Sequence, residues 1–214
     1  ANDEAERHLR KALGVLERTV GDGTMLVASA LDDLGSLLCD TARHMEAEPH
    51  FRRALRIRED HLHPSHRDMA VSLNNVACLL RLKGDYEGAE DYYRRALDVL
   101  VRNFGETHMD VAVAQNNLAE LLRAEDKLPE SEELHRKALQ TLQSQLGEDH
   151  FEVGLSMSNL GELLLQRGDS EGSEAAHRKA VAVMSAEKGE SNPRVAMAVF
   201  KLAESLSHQE KHEE

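Results

Sequence analysis

The sequence predicts an all-α chain of stacked, antiparallel helix pairs, and three observations carry that expectation. The segment AERHLRKAL at residue 5 recurs as AEPHFRRAL at 47, AEDYYRRAL at 89, SEELHRKAL at 131 and SEAAHRKAV at 173, each step being 42 residues. A second segment keeps the same step: LDDLGSLL from 31, LNNVACLL from 73, QNNLAELL from 115, MSNLGELL from 157 and VFKLAESL from 199. Aromatic residues make up only 3% of a chain that is 41% hydrophobic, and Trp is absent, so the core must be Leu, Ala and Val packed through small residues. Such a composition favours helices.

Each repeat divides into two amphipathic helices. Leu73, Val76, Ala77 and Leu80 fall at i, i+3, i+4 and i+7. Ala89, Tyr93, Ala96, Leu97 and Leu100 form the matching stripe of the second helix. Helices are expected near 2–20, 24–40, 44–61, 67–83, 86–103, 108–124, 128–145, 150–166, 170–187 and 192–208. The chain then parses into a half repeat (1–23), full repeats at 24–65, 66–107, 108–149 and 150–191, a half repeat at 192–208 and a polar tail at 209–214. It is expected to form a single array cut from something longer, because terminal repeats normally carry a polar capping face.

The punctuation agrees. Gly84 and Gly168 suit a left-handed turn inside a repeat, whereas Ala42 and Asp126 stand where the glycine is missing. Between repeats Gly105, Gly147 and Gly189 suit helix ends, Thr107, Asp149 and Asn192 can cap the next helices, and His66, His108 and His150, also 42 residues apart, are expected to cap or cover helix starts. Pro49 is expected to cost one backbone bond or delay its helix. Small residues hold fixed phases: Gly35, Ala77, Ala119, Gly161 and Ala203 in first helices, and Ala12, Ala54, Ala96, Ala138 and Ala180 in second helices. No repeat could bury its apolar face alone, so neighbours must stack.

The net charge of −13 disfavours general binding to nucleic acid or anionic membranes. Two cysteines, Cys39 and Cys78, are too few for a disulfide framework. The acidic start ANDEAERHLR is no secretory signal, and no apolar run is long enough to span a membrane. A cytoplasmic, reducing location is therefore expected.

The residues Leu73, Val76, Ala77, Leu80, Gly84, Tyr86, Ala89, Tyr93 and Ala96, in that order, resemble the tetratricopeptide repeat. The 42-residue period, the LNNVA and QNNLA cores and the junctions HPSHRDMA and GESNPRVA resemble its longer kinesin-light-chain subtype. The resemblance implies a right-handed superhelical solenoid whose first helices line a concave, peptide-binding surface. This chain departs from the pattern where His135 and His177 replace the second-helix aromatic, and looser packing is expected there.

Paired polar residues recur on the first helices: Asp32 and Asp33, Asn74 and Asn75, Asn116 and Asn117, Ser158 and Asn159, then Phe200 and Lys201. An amide carries donors and an acceptor, so Asn75, Asn117 and Asn159 could bond the backbone of an extended peptide whatever its side chains. The same groups could instead bond across neighbouring helices. Glu120 and Glu162 lie one turn further, and Arg81 and Arg123 could hold an acidic side chain or pair with local carboxylates. The basic doublets Arg10-Lys11, Arg52-Arg53, Arg94-Arg95, Arg136-Lys137 and Arg178-Lys179 each follow a Glu four residues earlier and read as a solvated, paired face. His61, His63 and His66, and His208 and His212, lack partners at metal-ligand spacing. No catalytic motif is present, so neither enzyme activity nor a metal or cofactor is expected. The function expected is an adaptor or scaffold that binds a linear peptide segment of a protein partner. The alternative is a structural or regulatory arm that self-associates end to end or packs on another domain of a larger protein.

Overall fold

The computed structural model describes residues 2–213, with side chains through residue 208. Every element among them is a helix. The chain divides into two compact units, Ala1–Gly105 and Glu106–Glu214.

Unit 1 holds α1 (Asn2–Val20), α2 (Met25–Asp40), α3 (His44–His61), α4 (Arg67–Leu82) and α5 (Tyr86–Phe104). The pairs α2/α3 and α4/α5 pack as the repeats predict, α3 joins them by lying on α4, and α1 lies on α2. The first helices α2 and α4 also touch, whereas among the described residues the second helices α3 and α5 do not. First helices therefore form the inner face of the unit. Close approach is set by the small residues: a Cβ on Gly35 would lie 2.7 Å from the Phe51 ring, and Ala54, Ala77 and Ala96 are buried at matching phases.

Unit 2 repeats the plan with α6 (Met109–Ala124), α7 (Leu128–Leu146), α8 (Phe151–Gln166), α9 (Ser170–Lys188) and α10 (Pro193–Glu213). Here α6 touches α8 and α8 touches α10, while among the described residues α7 and α9 do not touch. Its core joins Ala112, Ala138, Leu142, Phe151, Val153, Met157, Ala180, Met184, Val195 and Ala198. α10 continues past the expected 208 to Glu213.

The caps correct two expectations. At α4, α6 and α8 the cap is a histidine: Nδ1 of His66, His108 and His150 accepts from the backbone N–H of Asp68, Asp110 and Glu152 at 3.1–3.2 Å. The recurring histidines therefore cap as expected, while Thr107 and Asp149 are displaced from that role because α6 and α8 begin one residue later than predicted. Asn192 does cap α10, its Oδ1 accepting from Arg194 N–H at 2.9 Å. Pro49 sits within α3 without delaying its start; its missing N–H leaves the Met45 carbonyl without its helical donor. Gly84 and Gly168 are left-handed at φ 82° and 85°, and Ala42 and Asp126 take the same conformation at φ 58° and 62° without a glycine.

Candidate functional site

The inner face of unit 1 divides the polar pair by direction. Asp33 is exposed, whereas Asp32 is only 6% exposed and pairs with Arg58 of α3, which is 4% exposed. Arg58 also donates to Ser72 of α4, and Asn75 Nδ2 donates to Asp32 Oδ1 at 3.0 Å. One network thus ties α2, α3 and α4 together, and Asn75 bonds to a neighbouring helix. Burial pushes the Asp32 carboxyl above its ordinary range, against the lowering by Arg58 and Asn75. Asn74 is half-buried and engaged as well.

Further along this face Arg81 lies half-buried beside Tyr93 and Cys78. Burial alone would pull its guanidinium down, but contact with that phenol and thiol holds it up. Burial pushes the Tyr93 phenol up. The Cys39 thiol is raised to about 11 by burial, with Cys78 and Asp40 adding to it. Both cysteines are free, and at that value Cys39 is inert as a nucleophile.

Unit 2 gathers the other candidates into one ion network. Arg123 Nη2 lies 2.9 Å from Glu120 and 3.2 Å from Glu162, and Nη1 lies 3.4 Å from Gln166. Lys201 continues the chain, 3.8 Å from Glu162 and 3.1 Å from Glu204. Behind it, His135 is fully buried with Nδ1 2.8 Å from Asn116 Oδ1 and Nε2 3.3 Å from Glu120. Asn116 Nδ2 donates to Ser156 of α8 at 3.2 Å. Burial tends to raise the Glu120 carboxyl, but the His135 and Arg123 contacts outweigh it and hold it at about 2. Glu162 is held above its ordinary range by burial, with Glu120 and Glu204 adding to the effect. Asn117 is half-buried and engaged, while Asn159 is half-buried and makes no hydrogen bond among the described residues.

The structure therefore brings Glu120, Arg123 and Glu162 together and turns Asn75 and Asn116 toward neighbouring helices. Arg58 escaped sequence reasoning, although a charge in the column of Leu100, Leu142 and Met184 was a visible signal. The two histidines expected to loosen their repeats are instead fully buried. His177 packs over Gly161, where a Cβ would lie 2.8 Å from Nε2. Burial, with Lys201 adding, pulls its imidazole down to about 4.

All five Glu-to-Arg pairs of the second helices form, at 2.5–2.9 Å. His61, His63 and His66 bond separately, to the Ile57 carbonyl, the Ser65 hydroxyl and the Asp68 N–H. Among the described residues no three metal-ligating side chains converge, and no helix is long and apolar enough to cross a membrane. The side chain of His212 lies outside the described residues.

A family model described as tetratricopeptide repeat matches residues 2–60, 26–100, 68–139 and 110–186, windows that overlap along the repeats. The chain belongs to the tetratricopeptide repeat family. Its fold is that of BtubC (BKLC) from P. vanneervenii, 22% identical over 97% of this chain and 82% of that one, with a TM-score of 0.76. A Podosopora anserina putative kinesin light chain with nearly identical TPR-like repeats is similar at 15% identity and TM-score 0.69, over 87% of this chain and 89% of that one. A point-substituted form of that protein gives 15% and 0.71, over 87% and 88%. These likenesses show the fold, a solenoid shared with kinesin-light-chain-like repeat proteins. No curated protein matches by sequence. Tetratricopeptide repeats are in general protein–protein interaction modules.

Proposed function

We propose that this chain is a non-enzymatic adaptor or scaffold that holds a linear segment of a protein partner against the polar inner faces of its units. The observation that carries the reading is Asn159. It sits half-buried on the α8 face beside Glu162, its side-chain donors and acceptor unspent among the described residues. An amide so placed can clamp an extended backbone while leaving the ligand's side chains free to be read. Arg81 and Arg123 contribute less to an acidic ligand than their charge implies: Arg123 is already shared by two carboxylates.

The test is selection from a displayed library of random linear peptides, followed by titration of an enriched peptide. Asn159→Ala should weaken it about 5–10-fold, the loss of one or two hydrogen bonds, without moving the melting temperature. A library that yields no binder, or an affinity indifferent to Asn159, would overturn the groove reading.

A second reading has its own observation. Val199 is 48% exposed on α10, although Leu31, Leu73 and Met157 in the same column are buried, and Met197 and Phe200 are exposed beside it. A self-associating arm would cover this face. Sedimentation should then show concentration-dependent association lost in Val199→Asp, and a strict monomer at high concentration refutes it.

A further inference from the structure

Two helix faces stay uncovered at phases that are buried in every complete repeat. On α10, Ala196, Val199 and Ala203 are exposed, whereas the residues at the same phases in α2, α4, α6 and α8 are all buried, Ala28, Leu31 and Gly35 among them. On α1, Ala5, Ala12 and Val15 are exposed, whereas their counterparts in α3, α5, α7 and α9, such as Ala47, Ala54 and Ile57, are all buried. Each helix is held by its other side: α10 packs on α9 and α8 with Val195 and Ala198 buried, and α1 packs on α2 with Leu13 buried. Both open faces are apolar stripes.

The two stripes are complements. Within the complete repeats they are what the first and second helix press together: a Cβ on Gly35 would lie 2.7 Å from the Phe51 ring, and one on Gly154 would lie 2.5 Å from Met184 Cγ and 3.3 Å from the Ala180 carbonyl. Carried along the 42-residue step, Ala203 stands for Gly35 and Ala196 for Gly154 on the first helix. Leu9, Ala12 and Leu16 stand for Phe51, Ala180 and Met184 on the second. The helix face that α10 lacks is therefore the one that α1 presents. A further pair of positions supports the match. Asn116 faces His135 with Oδ1 2.8 Å from Nδ1, and Ser158 faces His177 at 3.4 Å, polar against polar. Their counterparts are Phe200, 57% exposed on α10, and Leu9 on α1, so both members have become apolar together. Set against a histidine, Phe200 would leave Nδ1 without its partner; set against Leu9 it leaves no polar atom stranded.

We propose that the open face of α10 docks on α1 of a second copy of this chain, the two helices packing as the first and second helix of one repeat. Ala196 then lies against Ala12 and Leu16, and Ala203 and Phe200 lie against Leu9. The proposal rests on the self-association reading and names the surface that meets α10. The contact is heterologous, joining two different patches, so each copy carries one half of it at either face. Its driving force is the burial of two apolar stripes that solvent now wets.

The test is sedimentation equilibrium of the wild type, Ala12→Glu and Val199→Asp, each alone and the two variants in equimolar mixture. Both positions are exposed, so each variant should keep the wild-type far-UV circular dichroism and, in dilute solution, its melting temperature. Val15→Glu and Ala203→Glu repeat the test from the same two faces. Wild type should associate as concentration rises, and each variant alone should remain a single chain where wild type does not. The mixture should form a species of two chains and none larger, because Ala12→Glu keeps its α10 face and Val199→Asp keeps its α1 face. A mixture that stays at one chain, or Ala12→Glu that associates as wild type does, would overturn the α1 contact. Association abolished by Val199→Asp but untouched by Ala12→Glu would leave self-association standing, with α10 meeting α10. A wild type that stays monomeric at high concentration would sink both.

Discussion

Replacing Arg58 with Leu and Asp32 with Asn together should stabilise unit 1, although each change alone should damage it. Unit 2 supplies the reasoning, for the corresponding positions there hold Leu142, Asn116 and Ser156, and Asn116 bonds Ser156 directly with no ion pair. In unit 1 the pair is almost wholly desolvated, at 4% and 6% exposure. Removing one partner strands the other: Asp32→Asn leaves the Arg58 charge uncompensated, and Arg58→Leu leaves Asp32 with Asn75 as its main donor. Either should cost about 3–5 kcal/mol. The double change removes both desolvation penalties and buries a leucine, as Leu142 is buried at 3%, for a gain of about 1–4 kcal/mol.

The direction of the Asp32 shift gives the same sign. A carboxyl raised above its ordinary 3.8 by burial favours folding most when protonated, and that contribution is lost as pH rises through the folded value. At neutral pH the ionised carboxylate is therefore a net cost. Thermal unfolding of the four proteins by circular dichroism is the assay. At about 2–4 °C per kcal/mol for a chain of this size, the single variants should melt about 6–20 °C lower and the double variant about 2–16 °C higher. A double variant that melts below the wild type would refute the reasoning and show the ion pair to be net stabilising.

Two other outcomes follow from particular residues. Ala42→Gly and Asp126→Gly should each stabilise by about 0.5–1 kcal/mol, since the left-handed strain they relieve exceeds the added freedom of the unfolded chain; raised melting temperatures check this, and a fall refutes it. His177 is neutral when folded, with its imidazole pulled from 6.5 to about 4 by burial and Lys201, against the opposing pull of Glu204. Its contribution is full above pH 6.5 and is lost as pH falls toward 4, on the order of 2–3 kcal/mol. His177→Phe should flatten that limb of the denaturant-midpoint profile, and an unchanged limb would place the acid sensitivity elsewhere.

The helices were legible because a 42-residue period aligns the chain with itself. Ala12, Ala54, Ala96, Ala138 and Ala180 mark the same phase in every second helix, and helix starts follow from it to within a residue. Partners across helices were less legible. Nothing in the spacing of Asn75 says that its amide reaches Asp32, because that contact depends on how α2 and α4 are offset, which packing sets. The caps were legible in the 42-residue recurrence of His66, His108 and His150, whose Nδ1 takes the N–H; Thr107 and Asp149 are good cap residues by type, but each helix begins after the following histidine.

An array of equivalent positions also gives a way to separate structure from function. Where a buried column changes character, the change is compensated nearby or left open. Arg58 enters an apolar column and Asp32 answers it. His135 enters the aromatic column of Phe51 and Tyr93, with Asn116 bonded to Nδ1 and the Glu120 carboxylate 3.3 Å from Nε2. His177 enters the same column one repeat later, where Glu162 stands at the position of Glu120 and pairs with Arg123 and Lys201, and Nε2 packs over Gly161 without a hydrogen-bond partner. A buried nitrogen without a partner is a standing cost that phenylalanine would have avoided.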